Sequence, residues 1–200
     1  MKHLGLIVNP IAGMGGSVGL KGTDGVAAEA ARLGAVRHSG DRAQKALSEL
    51  LPIKDDLCVL CASGEMGEAL ARKLGFPNVQ VVYRSEGETA ADDTIRAARA
   101  MEGADLLLFA GGDGTARDIF AALGDKAVAI GIPAGVKIHS PVYAIRPEAA
   151  GKLALRYLEG DGVEADPVQA VHWLIQHQHL RHAAHGQPEG RLLLHALAHP

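Results

Sequence analysis

A carboxylate set among glycines stands near the middle of this chain, where residues 111–115 read GGDGT. They follow the apolar run Leu106-Leu107-Leu108-Phe109-Ala110 and precede a helix-like stretch over 116–123. A strand apolar on both faces belongs inside a parallel sheet covered by helices, and such sheets bind ligands at the carboxyl ends of their strands. Asp113 is therefore expected at that edge. Gly111, Gly112 and Gly114 lack Cβ atoms, so they can take positive φ and let phosphate oxygens approach main-chain N–H groups. Thr115 reads as the N-cap of the next helix, with Asp118 three residues on approximating a capping box, so the helix would aim its positive end at the same phosphate. An acid inside an anion site repels the phosphate unless it holds a cation or takes a proton from an attacking hydroxyl. Both duties belong to phosphoryl transfer. The plain alternative is a glycine-rich turn with Asp113 as an ordinary turn residue.

A second glycine-rich turn, Asn9-Pro10-Ile11-Ala12-Gly13-Met14-Gly15-Gly16, follows the apolar run at 4–8. It is not a Walker A loop, because Leu20 precedes Lys21 where glycine is required. Nor is it a GxGxxG fingerprint, because Val18 takes the third glycine position. If the first strand and the GGDGT strand share a sheet edge, the two turns face one crevice, and Lys21 could neutralise phosphate charge there. A plain connection is the competing reading.

These turns need a scaffold, and short apolar runs alternate with Ala-rich amphipathic segments along the chain. Strands are expected over 4–8, 57–62, 79–83, 106–110 and 128–132, with helices near 24–34, 41–51, 65–75, 90–102 and 116–123. Alternation of this kind marks an α/β fold, a Rossmann-like parallel sheet with helices on both faces and right-handed crossovers. Thr89-Ala90-Ala91-Asp92 resembles a capping box opening the helix before the GGDGT strand. A last helix over about 147–158 opens on Pro147, which suits a first helical turn.

The chain has 200 residues, enough for one domain of ordinary size, and 48% of them are hydrophobic but only 4% aromatic, so Ala, Leu and Val must fill the core. A formal charge of −3 leaves no basic footprint for nucleic acid or an acidic membrane. Phosphates would have to be bound locally, by loops. The first apolar run ends too early, at Asn9-Pro10, for a signal peptide, and no window approaches a membrane span, so a cytoplasmic location is expected. The CxxC pair Cys58 and Cys61 falls in an expected strand, where side chains three residues apart point to opposite faces, so both are expected to be buried, reduced thiols. From about residue 165 the texture changes: seven of the ten histidines lie at 172, 177, 179, 182, 185, 195 and 199. His179, His182 and His185 could share a helix face and catch a divalent metal, but carboxylate partners are lacking, and a solvated tail is the preferred reading. Residues 1–160 are thus expected to form one domain, with 161–200 an atypical His-rich tail of the kind a truncation or frameshift leaves.

Taken together, the two turns resemble those of the superfamily of NAD kinases and diacylglycerol or sphingosine kinases. The likeness covers about residues 3–160 and is closest to the ATP-NAD kinase-like branch that includes acetoin catabolism protein X. It is carried by NPIAGMGG, GLKGTDG, GEMGE at 64–68, the stretch at 89–94, FAGGDGTARD at 109–118 and GIPAGVKIHS at 131–140. The resemblance implies ATP with Mg²⁺ as phosphoryl donor and NAD as acceptor at its ribose 2′-OH. It places Gly111, Gly112, Asp113, Gly114 and Thr115 in the nucleotide-phosphate loop, with Asp113 as general base or metal-organising acid. It places Asn9, Gly13, Gly15 and Gly16 in the facing loop, and Gly131 to Gly135 in a later turn that closes the site, with Lys137 and His139 either contacting phosphate or hydroxyl or standing as exposed loop residues. No residue is assigned as a dedicated protein metal ligand. The family's second, β-rich domain, which builds part of the substrate pocket, is expected to be largely or wholly missing, unless another copy of the chain contributes in a homo-oligomer. A kinase for another small-molecule or lipid acceptor, and a non-catalytic nucleotide-binding remnant, are the competing functions.

Overall fold

A computed structural model describes residues 1–20, 25–86, 89–135 and 138–160. Five strands form one all-parallel sheet: β1 (Lys2–Val8), β2 (Leu57–Ala62), β3 (Asn78–Tyr83), β4 (Leu106–Gly111) and β5 (Ala129–Pro133). Their order across the sheet is β3-β2-β1-β4-β5. The order runs outward in both directions from β1, so the chain switches side between β1 and β4, and the crevice of such a sheet opens at the carboxyl ends of those two strands. Val8 pairs with Ala110 at this point, which brings the turn after β1 beside the turn after β4.

Among the described residues seven α-helices follow in chain order: α1 (Met14–Ser17), α2 (Ala27–Arg32), α3 (Ser39–Ser48), α4 (Glu68–Lys73), α5 (Ala91–Ala100), α6 (Asp113–Leu123) and α7 (Pro147–Glu159). The strands bury alternate residues into two cores, as the period of two requires. Leu4, Leu6 and Val8 of β1, with Leu106, Leu108 and Ala110 of β4, pack under α3 and α7; Ile7, Leu107 and Phe109 pack on the other face against α5 and α6. The helices bury stripes made mostly of small residues: Ala43 and Ala46 beside Leu47 on α3, and Ala150, Gly151 and Ala154 beside Leu158 on α7. Their small size lets the layers approach closely, and a Cβ added at Gly151 would run into the Ala46 carbonyl. The scarcity of aromatics thus appears as tight helix contacts rather than as a thin core.

The expected α/β sheet with helices on both faces is present, and among the described residues no second domain stands beside it. Pro147 does open α7, which ends on Gly160 in the left-handed conformation. The helix before β4 starts one residue later than its expected cap: Ala90 is the N-cap, and Asp93, not Asp92, reaches back to the Ala90 amide at 2.8 Å. Short elements escaped the periodicity, namely α1 and a 3₁₀ turn over Leu51–Asp56. Cys61 is buried, and burial pushes its thiol up to about 11, but Cys58, expected to be buried as well, is only partly so. No described helix is long and apolar enough to cross a membrane. The histidine-rich stretch lies outside the described residues.

Candidate functional site

Helix α6 begins at Asp113, not at residue 116, and its N-cap is Gly112 in an extended conformation (φ −121°, ψ −172°). Thr115 is therefore not the cap, and no Thr115–Asp118 capping box forms. Thr115 lies in the first turn, 3% exposed, where its hydroxyl accepts a hydrogen bond from Asn9 Nδ2 at 3.0 Å. Asn9 also accepts the Ile11 N–H on its Oδ1 at 3.2 Å and donates its own N–H to Ala110 at 2.9 Å. One side chain thus shapes the turn after β1 and fastens it to the head of α6. This bond joins residues 106 positions apart in the chain.

In this loop Gly111 serves contact rather than an unusual torsion. None of Gly111, Gly112 and Gly114 has positive φ, contrary to expectation. Gly111 is bare because a Cβ there would overlap the Thr115 side chain, and Gly112 approaches Gly135, whose added Cβ would sit 3.4 Å from the Gly112 Cα. The residue that does need positive φ is Gly13, at 82°, and a Cβ on it would run into the Ala134 carbonyl. Ala134 in turn donates its N–H to Gly111 at 2.9 Å. Three turns, after β1, β4 and β5, therefore meet backbone to backbone at one sheet edge.

Asp113 stands at the first helical position, where the helix dipole favours an anion. Its carboxylate accepts the His139 N–H at 3.1 Å on Oδ2 and the Ser140 N–H at 3.1 Å on Oδ1. The first intrahelical bond of α6 runs from Ala116 to Gly112, so the amides of Asp113, Gly114 and Thr115 have no acceptor within the helix. That end of α6 offers donors to an anion beside a carboxylate that can take a proton or a cation.

The other expected residues fall in different places. Gly15 is buried inside α1, its carbonyl accepting the Leu20 N–H at 2.8 Å, while Gly16 on the same helix is partly exposed. Gly131 is buried within β5 beneath the ring of Tyr143, which a Cβ would strike, and Gly135 lies at the meeting of the turns. His139 is exposed and contributes its main-chain N–H to Asp113. Lys21 and Lys137 lie outside the described residues.

Two residues were missed by sequence reasoning. Tyr143 donates its hydroxyl to the Gly112 carbonyl at 2.6 Å and meets Phe109 edge to face, with ring centroids 5.4 Å apart. Burial pushes its phenol well above the ordinary value, and the charges of Asp113 and Asp118 add to that. Arg42 of α3 donates to the Pro133 carbonyl at 2.9 Å, which sets a guanidinium beside the turn after β5. Neither had a local signal, since all these partners come from other elements. A separate cleft between α6 and the sheet, lined by Phe109, Ala116, Ile119, Leu123 and Val142, is apolar and offers no comparable chemistry.

Comparison with known proteins gives a match to the family model for the ATP-NAD kinase N-terminal domain, over residues 4–162. No curated protein and no solved structure matches significantly. The matched span takes in β1 from Leu4 onward, the other four strands whole and the three converging turns. With most of its length inside that span, the chain belongs to the ATP-NAD kinase family and carries its N-terminal domain.

Proposed function

We propose that this protein transfers the terminal phosphoryl group of ATP to a hydroxyl, with the ribose 2′-OH of NAD as acceptor. The observation that carries this reading is the Asn9–Thr115 hydrogen bond, which closes the turns after β1 and β4 over one crevice at the head of α6. Amides of Asp113, Gly114 and Thr115 take the nucleotide phosphates, with Asn9, Gly13 and Gly16 opposite, and Gly135 closing the third side. Asp113 accepts the proton of the attacking hydroxyl. General-base help of that kind is typically worth about 10²–10⁴-fold, and positioning and charge neutralisation supply most of the rest.

Mg²⁺ suits this donor set, because it keeps several waters and is held through one or two carboxylates and its nucleotide's phosphates. Two N–H donors occupy the Asp113 carboxylate, which has about four lone-pair sites, so room remains for such a contact. Bound there, Mg²⁺ would neutralise charge developing on the transferred group. The extended motifs favour the branch that includes acetoin catabolism protein X, with residues 1–160 as the nucleotide-binding unit and 161–200 as a separate His-rich segment.

A second reading is favoured by the same carboxylate: Asp113 is an anchor for the strand of chain at 138–140, and chemistry lies elsewhere or is absent. Asp113→Asn separates the two, because asparagine keeps one acceptor oxygen but turns an NH₂ group toward a donor. A base predicts turnover of ATP and NAD to NADP lower by at least about 100-fold with binding of metal-free ATP nearly intact. An anchor predicts that binding and turnover fall together. Near-normal NADP formation by the variant would remove Asp113 from the mechanism. Turnover of labelled ATP on another acceptor, or binding without product, would move the function to the competing kinases or to a nucleotide-binding module.

A further inference from the structure

We infer that Tyr143 is a positioning residue for the phosphate loop: its hydroxyl fixes the Gly112–Asp113 peptide so that the Asp113 N–H faces the crevice. The inference rests on the proposed phosphate role of that loop. The peptide needs fixing because it lies in a glycine-rich turn with little torsional preference of its own. One bond holds its carbonyl from within the helix, the Ala116 N–H at 3.1 Å, and first turns fray. The Tyr143 hydroxyl adds a second donor to the same oxygen at 2.6 Å. Because a trans peptide points its N–H opposite its C=O, both bonds direct the Asp113 N–H out of the helix head.

Tyr143 is itself set by backbone. Gly131 donates its N–H to the Val142 carbonyl at 2.8 Å and accepts the Ala144 N–H at 3.0 Å, so the residues flanking Tyr143 are tied to β5. The ring then fills the notch left by the missing Cβ of Gly131 and rests edge-on against Phe109. In this account Gly131 acts on phosphate only indirectly, by making room for the tyrosine. The raised phenol keeps its proton, and therefore its donor, through neutral and mildly alkaline pH.

The test is Tyr143→Phe in the full chain, which keeps the ring and removes only the hydroxyl, followed by amide hydrogen exchange without ligand and by MgATP calorimetry. Loss of one hydrogen bond to the loop should speed exchange at the head of α6 about three- to tenfold while amides of β1 and β4 keep their rates, and should weaken MgATP by a similar factor. Unchanged exchange, uniformly faster exchange across the sheet, or local loosening with unchanged MgATP affinity would each overturn the inference. If the wild-type chain binds no MgATP yet the variant loosens only the α6 head, Tyr143 still holds the peptide, and the phosphate reading is what fails.

Discussion

Replacing Gly13 by alanine probes whether the turn after β1 truly rests on the turn after β5. Two penalties combine at this position. A φ of 82° is left-handed, which for an L-residue with a Cβ is disfavoured by about 1–2 kcal/mol. The added methyl would also run into the Ala134 carbonyl, a backbone atom that cannot rotate away, and overpacking of that kind typically destabilises by about 1–3 kcal/mol. Gly75 supplies the control: its φ is 75°, but nothing lies within 4 Å of a Cβ there. Urea denaturation should therefore show Gly75→Ala weaker than wild type by about 1–2 kcal/mol and Gly13→Ala weaker by roughly 2–5 kcal/mol, with similar dependence on denaturant. A domain stability of about 5–15 kcal/mol leaves the Gly75 variant folded and makes the Gly13 variant measurable in most of that range. Equal losses at the two glycines would mean that Gly13 meets no neighbour, and the convergence of the turns would be wrong.

Thr115→Val keeps shape but leaves Asn9 Nδ2 without its acceptor in a part-buried place, so a loss of about 1–3 kcal/mol by the same denaturation is expected. A change below about 0.5 kcal/mol would deny the bond that joins the two loops. Alkaline stability tests the buried phenol. With its folded-state value raised, Tyr143 keeps its proton when the unfolded chain has lost it, so its contribution is complete below about pH 10 and is lost as pH rises through the folded value. Wild type should therefore lose stability more steeply above about pH 10 than Tyr143→Phe, whereas parallel curves would contradict a shielded hydroxyl. Tyr83, raised mainly by its hydrogen bond to Asp93, is present in both proteins and does not affect the comparison.

The sheet was legible because its strands are short, continuous apolar runs between glycine-rich turns, and all five fall within about two residues of the expected bounds. The position of Asp113 at a carboxyl edge followed from the same pattern. What the sequence could not display was set by contacts between distant segments. Helix α6 reaches back through Gly114 because Thr115 is bonded to Asn9 in the turn after β1, which overrides the weak helix propensity of glycine. Gly111 reads as torsional freedom but functions as clearance for the Thr115 side chain, a distinction that depends on knowing what lies opposite. Tyr143 carried no signal at all, since its partners, Gly112, Phe109 and Gly131, belong to β4, β5 and the turn between β4 and α6.

The most direct test of the central claim is amide NMR of the wild-type chain titrated with a non-hydrolysable ATP analogue and Mg²⁺. Nucleotide phosphates held by the converging turns would move the signals of Gly13, Gly112, Asp113 and Gly114 together, along one binding curve. Shifts confined to the apolar cleft at Phe109, Ile119 and Val142, or to the opposite edge of the sheet, would contradict it.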